Sequence, residues 1–280
     1  MSRRVVEYLN IGCDQKVDLN PKPEGVTFLA RLIPVVDIKT RIEQSPLDLD
    51  DIFTSGEILY SRRYKRKPFE RFAARLGAKQ IALGLVDSPE LGWKDCEVTN
   101  SDLNSPSLVL SAKAQGLIQG IGLRGLHISL AHETDAAVAL CATERYEEGQ
   151  PANLIRIGTD ICPASPFEIQ AITRTSTFSE EELETAKLEE FPARYLAMCF
   201  SAKETVVKIL ETLPGWIWKE IEIHKVEGDS FKITLSGSAQ ERFEQIGAQS
   251  IVTNLIYKDH VGALAFSAAL RAPIDRAYSR

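Results

Sequence analysis

The sequence predicts an α+β fold arranged as two tandem, pseudo-symmetric repeats. Three observations carry this expectation: short motifs recur in one order at a near-constant spacing, each copy alternates helix-period with strand-period stretches, and a polar segment carrying Gly149 and Pro151 separates the copies. Ile11-Gly12-Cys13-Asp14 matches Ile157-Gly158-Thr159-Asp160 at an offset of 146 (160 minus 14). Phe72 to Lys79 matches Leu196 to Lys203 loosely, with an offset of 124 between the lysines. Trp93-Lys-Asp-Cys-Glu-Val98 matches Trp218-Lys-Glu-Ile-Glu-Ile223, and Leu110-Ser111 matches Leu235-Ser236, both at 125. Ala137-Val-Ala-Leu140 matches Ala263-Leu-Ala-Phe266 at 126. The drop from 146 to 124 implies about 22 additional residues in the first copy, around Pro21 and Gly25. Repeats are therefore expected at residues 1–145 and 146–280.

Each copy reads as an opening strand, a helix pair, two short strands, a short helix and two closing strands. In the first copy the helices are expected at 47–64, entered through Asp48, Asp50 and Asp51, and at 68–86. Strands follow at 96–99 and 107–110, a short helix at 112–120, and strands at 127–131 and 136–143.

Composition narrows the functional classes. A chain of 280 residues, 44% hydrophobic and 26% charged, is long enough for one large or two ordinary cores. A net charge of -6 argues against a nucleic-acid binder working through bulk positive charge, so any anion must be met by a local basic patch. Five dispersed cysteines without CxxC spacing suit reduced thiols better than a disulfide frame or a zinc site. No stretch approaches the roughly 18 apolar residues of a membrane span, and a cytoplasmic protein is expected.

The chemistry concentrates in Phe200-Ser-Ala-Lys-Glu-Thr-Val-Val-Lys208. Read as helix, it places Glu204 and Lys208 on one face, with Val206, Val207, Ile209 and Leu210 forming the apolar stripe. A Glu/Lys pair at this spacing is usually a solvated surface pair. Asp160, closing a strand-like run, changes the reading, because two carboxylates on separate elements can share a divalent cation.

Gly158-Thr-Asp-Ile161, followed some forty residues later by Phe200 to Lys208, resembles the two signature motifs of the phosphopantetheinyl transferase superfamily. Both halves of the chain are similar to its holo-acyl-carrier-protein synthase branch. The resemblance implies that each repeat is a small antiparallel sheet packed on helices, and that the chain is a monomeric pseudodimer with one site between repeats. It implies transfer of the phosphopantetheine arm of coenzyme A to a serine of an acyl or peptidyl carrier protein, assisted by Mg²⁺, with no nucleic-acid or membrane partner. Asp160 and Glu204 are the implied metal ligands. Glu204 or a water it orients is the implied base, and Lys208 balances charge on the leaving group.

The copies differ. Where the second has Glu204 and Lys208, the first has Gln80 and Gly84. An amide is a poor ligand for Mg²⁺. The first copy instead carries Ser129-Leu-Ala-His132, resembling the family's Ser-x-Ser-His segment, whose histidine contacts the nucleotide of coenzyme A. It also carries Arg66, Lys67, Arg71 and Arg75, of which Arg75 matches an arginine the family places five residues before the glutamate position. The basic run from Arg62 to Lys67 reads equally as a solvated helix face or a docking patch for an acidic partner. Two departures stand out. The third acidic ligand of many pseudodimeric members is replaced by Cys162, and residues 163–178 offer Arg174 alone as a basic contact for a carrier, with Phe167, Ile169 and Ile172 as an apolar substitute. Two other readings stay open: a duplicate that binds coenzyme A or a carrier without turnover, and an assembly subunit.

Overall fold

The computed structural model describes residues 13–16, 25–45, 48–65, 67–101, 105–149, 151–170, 176–211, 218–226 and 231–271. By its internal contacts the chain divides into two compact units, one comprising 25–151 with the strand at 13–16, the other running from Ala152 onward.

In the first unit, strands β1 (Cys13–Lys16), β2 (Val26–Pro34), β5 (Leu123–His132) and β6 (Ala136–Arg145) form an antiparallel sheet of order β1-β2-β6-β5. Helices α1 (Val35–Gln44), α2 (Asp48–Ile52), α3 (Ser55–Arg63), α4 (Pro68–Val86) and α5 (Ala112–Gly120) complete it, with a separate hairpin of β3 (Cys96–Asn100) and β4 (Pro106–Leu110). In the second unit, β7 (Leu154–Cys162), β10 (Ser250–Lys258) and β11 (Gly262–Leu270) form a sheet of order β10-β11-β7. Around it stand α6 (Ser165–Gln170), α7 (Glu180–Leu188), α8 (Pro192–Leu210) and α9 (Gly237–Gln245), with the hairpin β8 (Ile221–Lys225) and β9 (Phe231–Leu235). The triplet β5-β6-β2 is the counterpart of β10-β11-β7, and each unit packs a small antiparallel sheet on helices.

The long helices α4 and α8 organise both units. Each has 19 residues, begins with proline in its first turn and ends in a left-handed residue, Asp87 (φ 42) or Glu211 (φ 50). The central strands β6 and β11 are buried along almost their whole length and rich in alanine, because a helix backbone lies close over them. A Cβ on Gly77 of α4 would stand 3.1 Å from the Ala139 Cβ and 3.3 Å from the Ile33 Cγ1. Cys96, Cys141, Cys162 and Cys199 are buried free thiols.

Three expectations need correction. The helix expected at 47–64 is two helices, because Thr54 caps α3: its hydroxyl accepts the Glu57 N–H while the Glu57 carboxylate accepts the Thr54 N–H. The first unit's counterpart of β7 is β2 and not the 11–14 segment. Ala139 pairs with Arg31 in register as Ala265 pairs with Asp160, so Arg31 occupies the place of Asp160, at an offset of 129 (160 minus 31). The supposed 22-residue insertion therefore vanishes; residues 13–16 form an extra edge strand, and the Ile-Gly-x-Asp match was a coincidence of short sequence. Phe167 is no surface contact for a carrier, being 1% exposed with its ring 5.9 Å from Phe178 and 5.8 Å from Phe200. The side chains of Ile169, Ile172 and Arg174 lie outside the described residues.

A buried ion pair recurs in both units. The Lys79 ammonium lies 2.7 Å from Glu57 and donates to the Cys96 carbonyl, while the other Glu57 oxygen accepts the Val98 N–H at 2.9 Å. In the second unit Lys203 lies 3.0 Å from Glu182 and donates to the Trp218 and Ile221 carbonyls, while Glu182 accepts the Ile223 N–H at 2.9 Å and caps α7 through Ser179. Lys79 and Lys203 are fully buried. Each clamp ties a capped helix, the long helix and the hairpin together. Removing one partner leaves a buried charge unpaired, at a cost of about 3–5 kcal/mol. Lys203→Met should thus lower unfolding free energy by about that amount in chemical denaturation, and Lys203→Met with Glu182→Leu should recover much of it.

Candidate functional site

In the second unit, β7 and α8 bring three predicted residues together. Gly158 allows the approach: a Cβ there would stand 3.0 Å from the Thr205 Cα and closer still to its carbonyl. Two residues on, Asp160 is 9% exposed, and its Oδ1 lies 3.0 Å from the Lys208 ammonium, which also donates to the Thr159 carbonyl at 2.7 Å. Glu204 is one helical turn before Lys208 on α8. Burial pushes the Asp160 carboxyl above its ordinary value, against the opposing pull of Lys208. Glu204 is raised by burial and then by repulsion from Asp160, again opposed by Lys208. Two hard oxygen donors that repel each other in a half-buried site suit a divalent cation, and Mg²⁺ characteristically takes one or two carboxylates plus substrate phosphates. Among the described residues no group of three His, Cys, Asp or Glu side chains is placed to hold a metal.

The first unit carries nothing comparable at the same positions, which hold Arg31, Gln80 and Gly84. Its polar cluster lies instead between α3, α4, β3 and β5. Arg71 Nη1 donates to His132 Nε2 at 2.8 Å, and since arginine only donates, His132 accepts there as a neutral ring. Arg75, 3% exposed, donates from Nη2 to the Asn100 Oδ1 at 2.6 Å. The Arg71 guanidinium stands 3.5 Å from the Tyr64 ring centroid and that of Arg75 stands 4.1 Å from Tyr60. Burial lowers the Arg75 pKa, with Tyr60 and Glu57 opposing. A cleft of about 420 Å³ opens beside this cluster, lined by Tyr60, Arg63, Tyr64, Glu97, Asn100 and Ser101 among others.

Of the residues expected at the nucleotide end, Arg71, Arg75 and His132 are therefore brought together. Lys67, the residue capping α4, is exposed, and its backbone N–H donates to the Tyr64 carbonyl at 3.0 Å. Arg66 lies outside the described residues. Ser129, 4% exposed, is three positions from His132 on β5, so strand alternation points it to the opposite face from Ile128, Leu130 and His132, and it does not join the cluster. Tyr60, Tyr64 and Asn100 were missed from sequence, although the two tyrosines share the i,i+4 spacing of Arg71 and Arg75 that would have marked them.

Comparison with known proteins identifies the family. The family model of the 4′-phosphopantetheinyl transferase superfamily matches residues 156–265, within the second unit. The holo-[acyl-carrier-protein] synthase of Geobacter sp. (strain M21) is 37% identical over 34% of this chain and 78% of its own length. That of Koribacter versatilis is 36% identical over 38% of this chain and 90% of its own length. Among solved structures, the ACPS–CoA complex of Chronobacterium ammoniagenes shares 18% identity with a TM-score of 0.39, covering 44% of this chain and all (100%) of that one. The chain belongs to the 4′-phosphopantetheinyl transferase superfamily, and it is an enzyme of that class, a phosphopantetheinyl transferase. No helix among the described residues is long and apolar enough to cross a membrane.

The raised Glu204 pKa has a measurable sign. A carboxyl whose folded pKa exceeds its unfolded value contributes stability that is present below the unfolded value, about pH 4, and lost as pH rises through the folded value. Ionised Glu204 therefore works against folding of the metal-free protein at neutral pH. Glu204→Gln should melt about 1–3 °C higher than the parent at pH 7.5 without metal, and the gain should shrink toward pH 4 in a pH series of thermal scans.

Proposed function

We propose that the chain transfers the phosphopantetheine arm of coenzyme A to a serine of a carrier protein, with catalytic groups carried by the second unit and nucleotide-binding groups by the first. The second unit supplies Asp160, Glu204 and Lys208; the first supplies Arg71, Arg75 and His132, with the exposed Lys67 and Arg66 as further cations for the nucleotide. What supports the reading is the complementary loss between copies. One keeps carboxylates and ammonium where the other has Arg31, Gln80 and Gly84; the other keeps cations and a histidine where the first has Tyr195, Cys199 and Lys258. The relatives' names supply the substrate pair.

Asp160 and Glu204 would hold Mg²⁺, which supplies charge neutralisation at the pyrophosphate when bound. Glu204 accepts the proton of the serine hydroxyl; its raised pKa brings it nearer the working pH, where general base catalysis is efficient. The serine oxygen then forms its bond to the β-phosphorus as the bond to the α-phosphate oxygen breaks. Lys208, whose ammonium is held by Asp160 and the Thr159 carbonyl, steadies negative charge on the departing nucleotide phosphate. In the first unit, Arg71 and Arg75 offer planar donor edges suited to phosphate oxygens.

The test is incubation with coenzyme A, Mg²⁺ and an apo carrier protein, followed by intact-mass analysis. One phosphopantetheine per carrier serine is expected. Glu204→Gln should slow the transfer by about 10²–10⁴, the usual contribution of a positioned base. Gln80→Ala, at the equivalent place in the first unit, should leave most of it. Equal losses from the two substitutions would contradict the division of roles, and absence of transfer in the parent would favour a coenzyme A-binding duplicate without turnover.

A further inference from the structure

The inner face of α8 carries two hydroxyls one turn apart, Ser201 and Thr205, both fully buried. Thr205 is engaged on both sides: its Oγ1 donates to the Ala202 carbonyl at 2.7 Å and lies 2.6 Å from the Ser267 hydroxyl, which lies 2.9 Å from that of Thr253. Ser201 differs. A serine within a helix commonly donates to the carbonyl one turn back, but the Ser201 Oγ is buried with no hydrogen bond of full geometry among the described residues. The polar group it faces is the Asp160 carboxyl. Burial raises that carboxyl's pKa, and Lys208 followed by the Ser201 hydroxyl opposes the rise.

Comparison of the two copies places Ser201 independently. Its counterpart, 124 residues earlier, is Gly77, where a Cβ would stand 3.1 Å from the Ala139 Cβ and 3.7 Å from the Arg31 carbonyl oxygen. Ala139 pairs with Arg31 as Ala265 pairs with Asp160, so a side chain at this helix position meets the rung that bears Asp160. The hydroxyl also belongs to the copy with the carboxylates. Ser201, Glu204, Lys208 and Asp160 stand where the first unit has Gly77, Gln80, Gly84 and Arg31, whereas Lys203 and Lys79 match. A buried hydroxyl short of a partner costs stability, and serine is a poorer helix former than alanine, so the packing of α8 does not account for Ser201. Carboxylates that ligate metals are themselves held by hydrogen bonds from an outer layer of residues. Beside Asp160, whose Oδ1 already meets Lys208, Ser201 is the neutral side-chain donor in place for that task.

We infer that Ser201 is a positioning residue of the transferase, whose hydroxyl donates to Asp160 and fixes the rotation of that carboxylate for a divalent cation. The inference rests on the proposed function and adds to it the residue that sets one of the metal ligands. Ser201 and Lys208 then hold Asp160 from positions seven residues apart on α8, with Glu204 between them, so one helix face aligns both carboxylates.

The experiment compares the parent, Ser201→Ala and Ser267→Ala. Cation affinity is read from the electron paramagnetic resonance of Mn²⁺ with coenzyme A present and no carrier, so that no turnover occurs. Thermal scans without metal and the Mg²⁺ concentration giving half-maximal transfer complete the set. Ser201→Ala should bind Mn²⁺ about ten- to hundredfold more weakly and need correspondingly more Mg²⁺. It should nevertheless melt at or above the parent, because the hydroxyl removed has no full partner in the metal-free protein. Ser267→Ala, which removes the hydroxyl between Thr205 and Thr253, should melt lower and bind Mn²⁺ as the parent does. Parent-like Mn²⁺ binding by Ser201→Ala, or an equal weakening in Ser267→Ala, would overturn the positioning role and leave the transferase reading intact. A Ser201→Ala variant melting well below the parent would make Ser201 a packing residue and overturn the role as well. A parent that binds no Mn²⁺ and transfers undiminished in excess chelator would overturn the metal assignment of the proposed function, and this inference with it.

Discussion

The structure of each unit depends on a lysine ammonium with no access to water. Lys79 and Lys203 are held wholly inside the protein by a glutamate and by carbonyls of the following hairpin, and that glutamate also caps the preceding helix. A charge so placed is tolerable only when every partner is in position, which fixes three elements against one another at once. Burial lowers the Lys203 pKa while Glu182 opposes the shift, as expected of a cation whose hydration has been replaced by a single counter-ion. The same arrangement built twice, with the same caps and the same hairpin contacts, is the firmest structural sign that the two halves descend from one module.

On this shared frame the two halves carry different chemistry. In the second, Lys203 immediately precedes Glu204, so the clamp that orders the core also sets the phase of the helix that presents the carboxylate. Gly158 then lets β7 close on α8, and Asp160 meets Lys208. In the first, the clamp holds α3 and β3, the walls of the cleft, and the stacked arginines stand between them. The residues that fold the module are not those proposed to react: Lys79 and Lys203 match, while Gln80 and Glu204 do not.

Much of the fold was legible in the sequence, because long helices with apolar stripes and strands of small residues leave a strong periodic signal. The helix α4, the helix α5 and the pairing of Trp93–Val98 with Trp218–Ile223 follow directly from it. What failed was the opening of the first unit. The match of Ile11–Asp14 to Ile157–Asp160 rested on four residues, whereas the true counterpart, Phe28 to Arg31, shares none of their identities and is recognised only by its pairing with β6. The carboxylate set was legible because its motif is compact. The tyrosines were not, since a ring stacked on a guanidinium has no sequence signature beyond spacing, and Phe167 was misjudged because apolar residues flanking a motif look alike whether they face solvent or the core.

The division of labour is tested most directly by calorimetric titration of 3′,5′-ADP, without metal, into Glu204→Gln and Arg75→Leu. The account predicts that Glu204→Gln binds the nucleotide as the parent does and that Arg75→Leu binds it at least about tenfold more weakly, the scale of one charge-assisted phosphate contact. Equal weakening in both variants, or the reverse order, would contradict it.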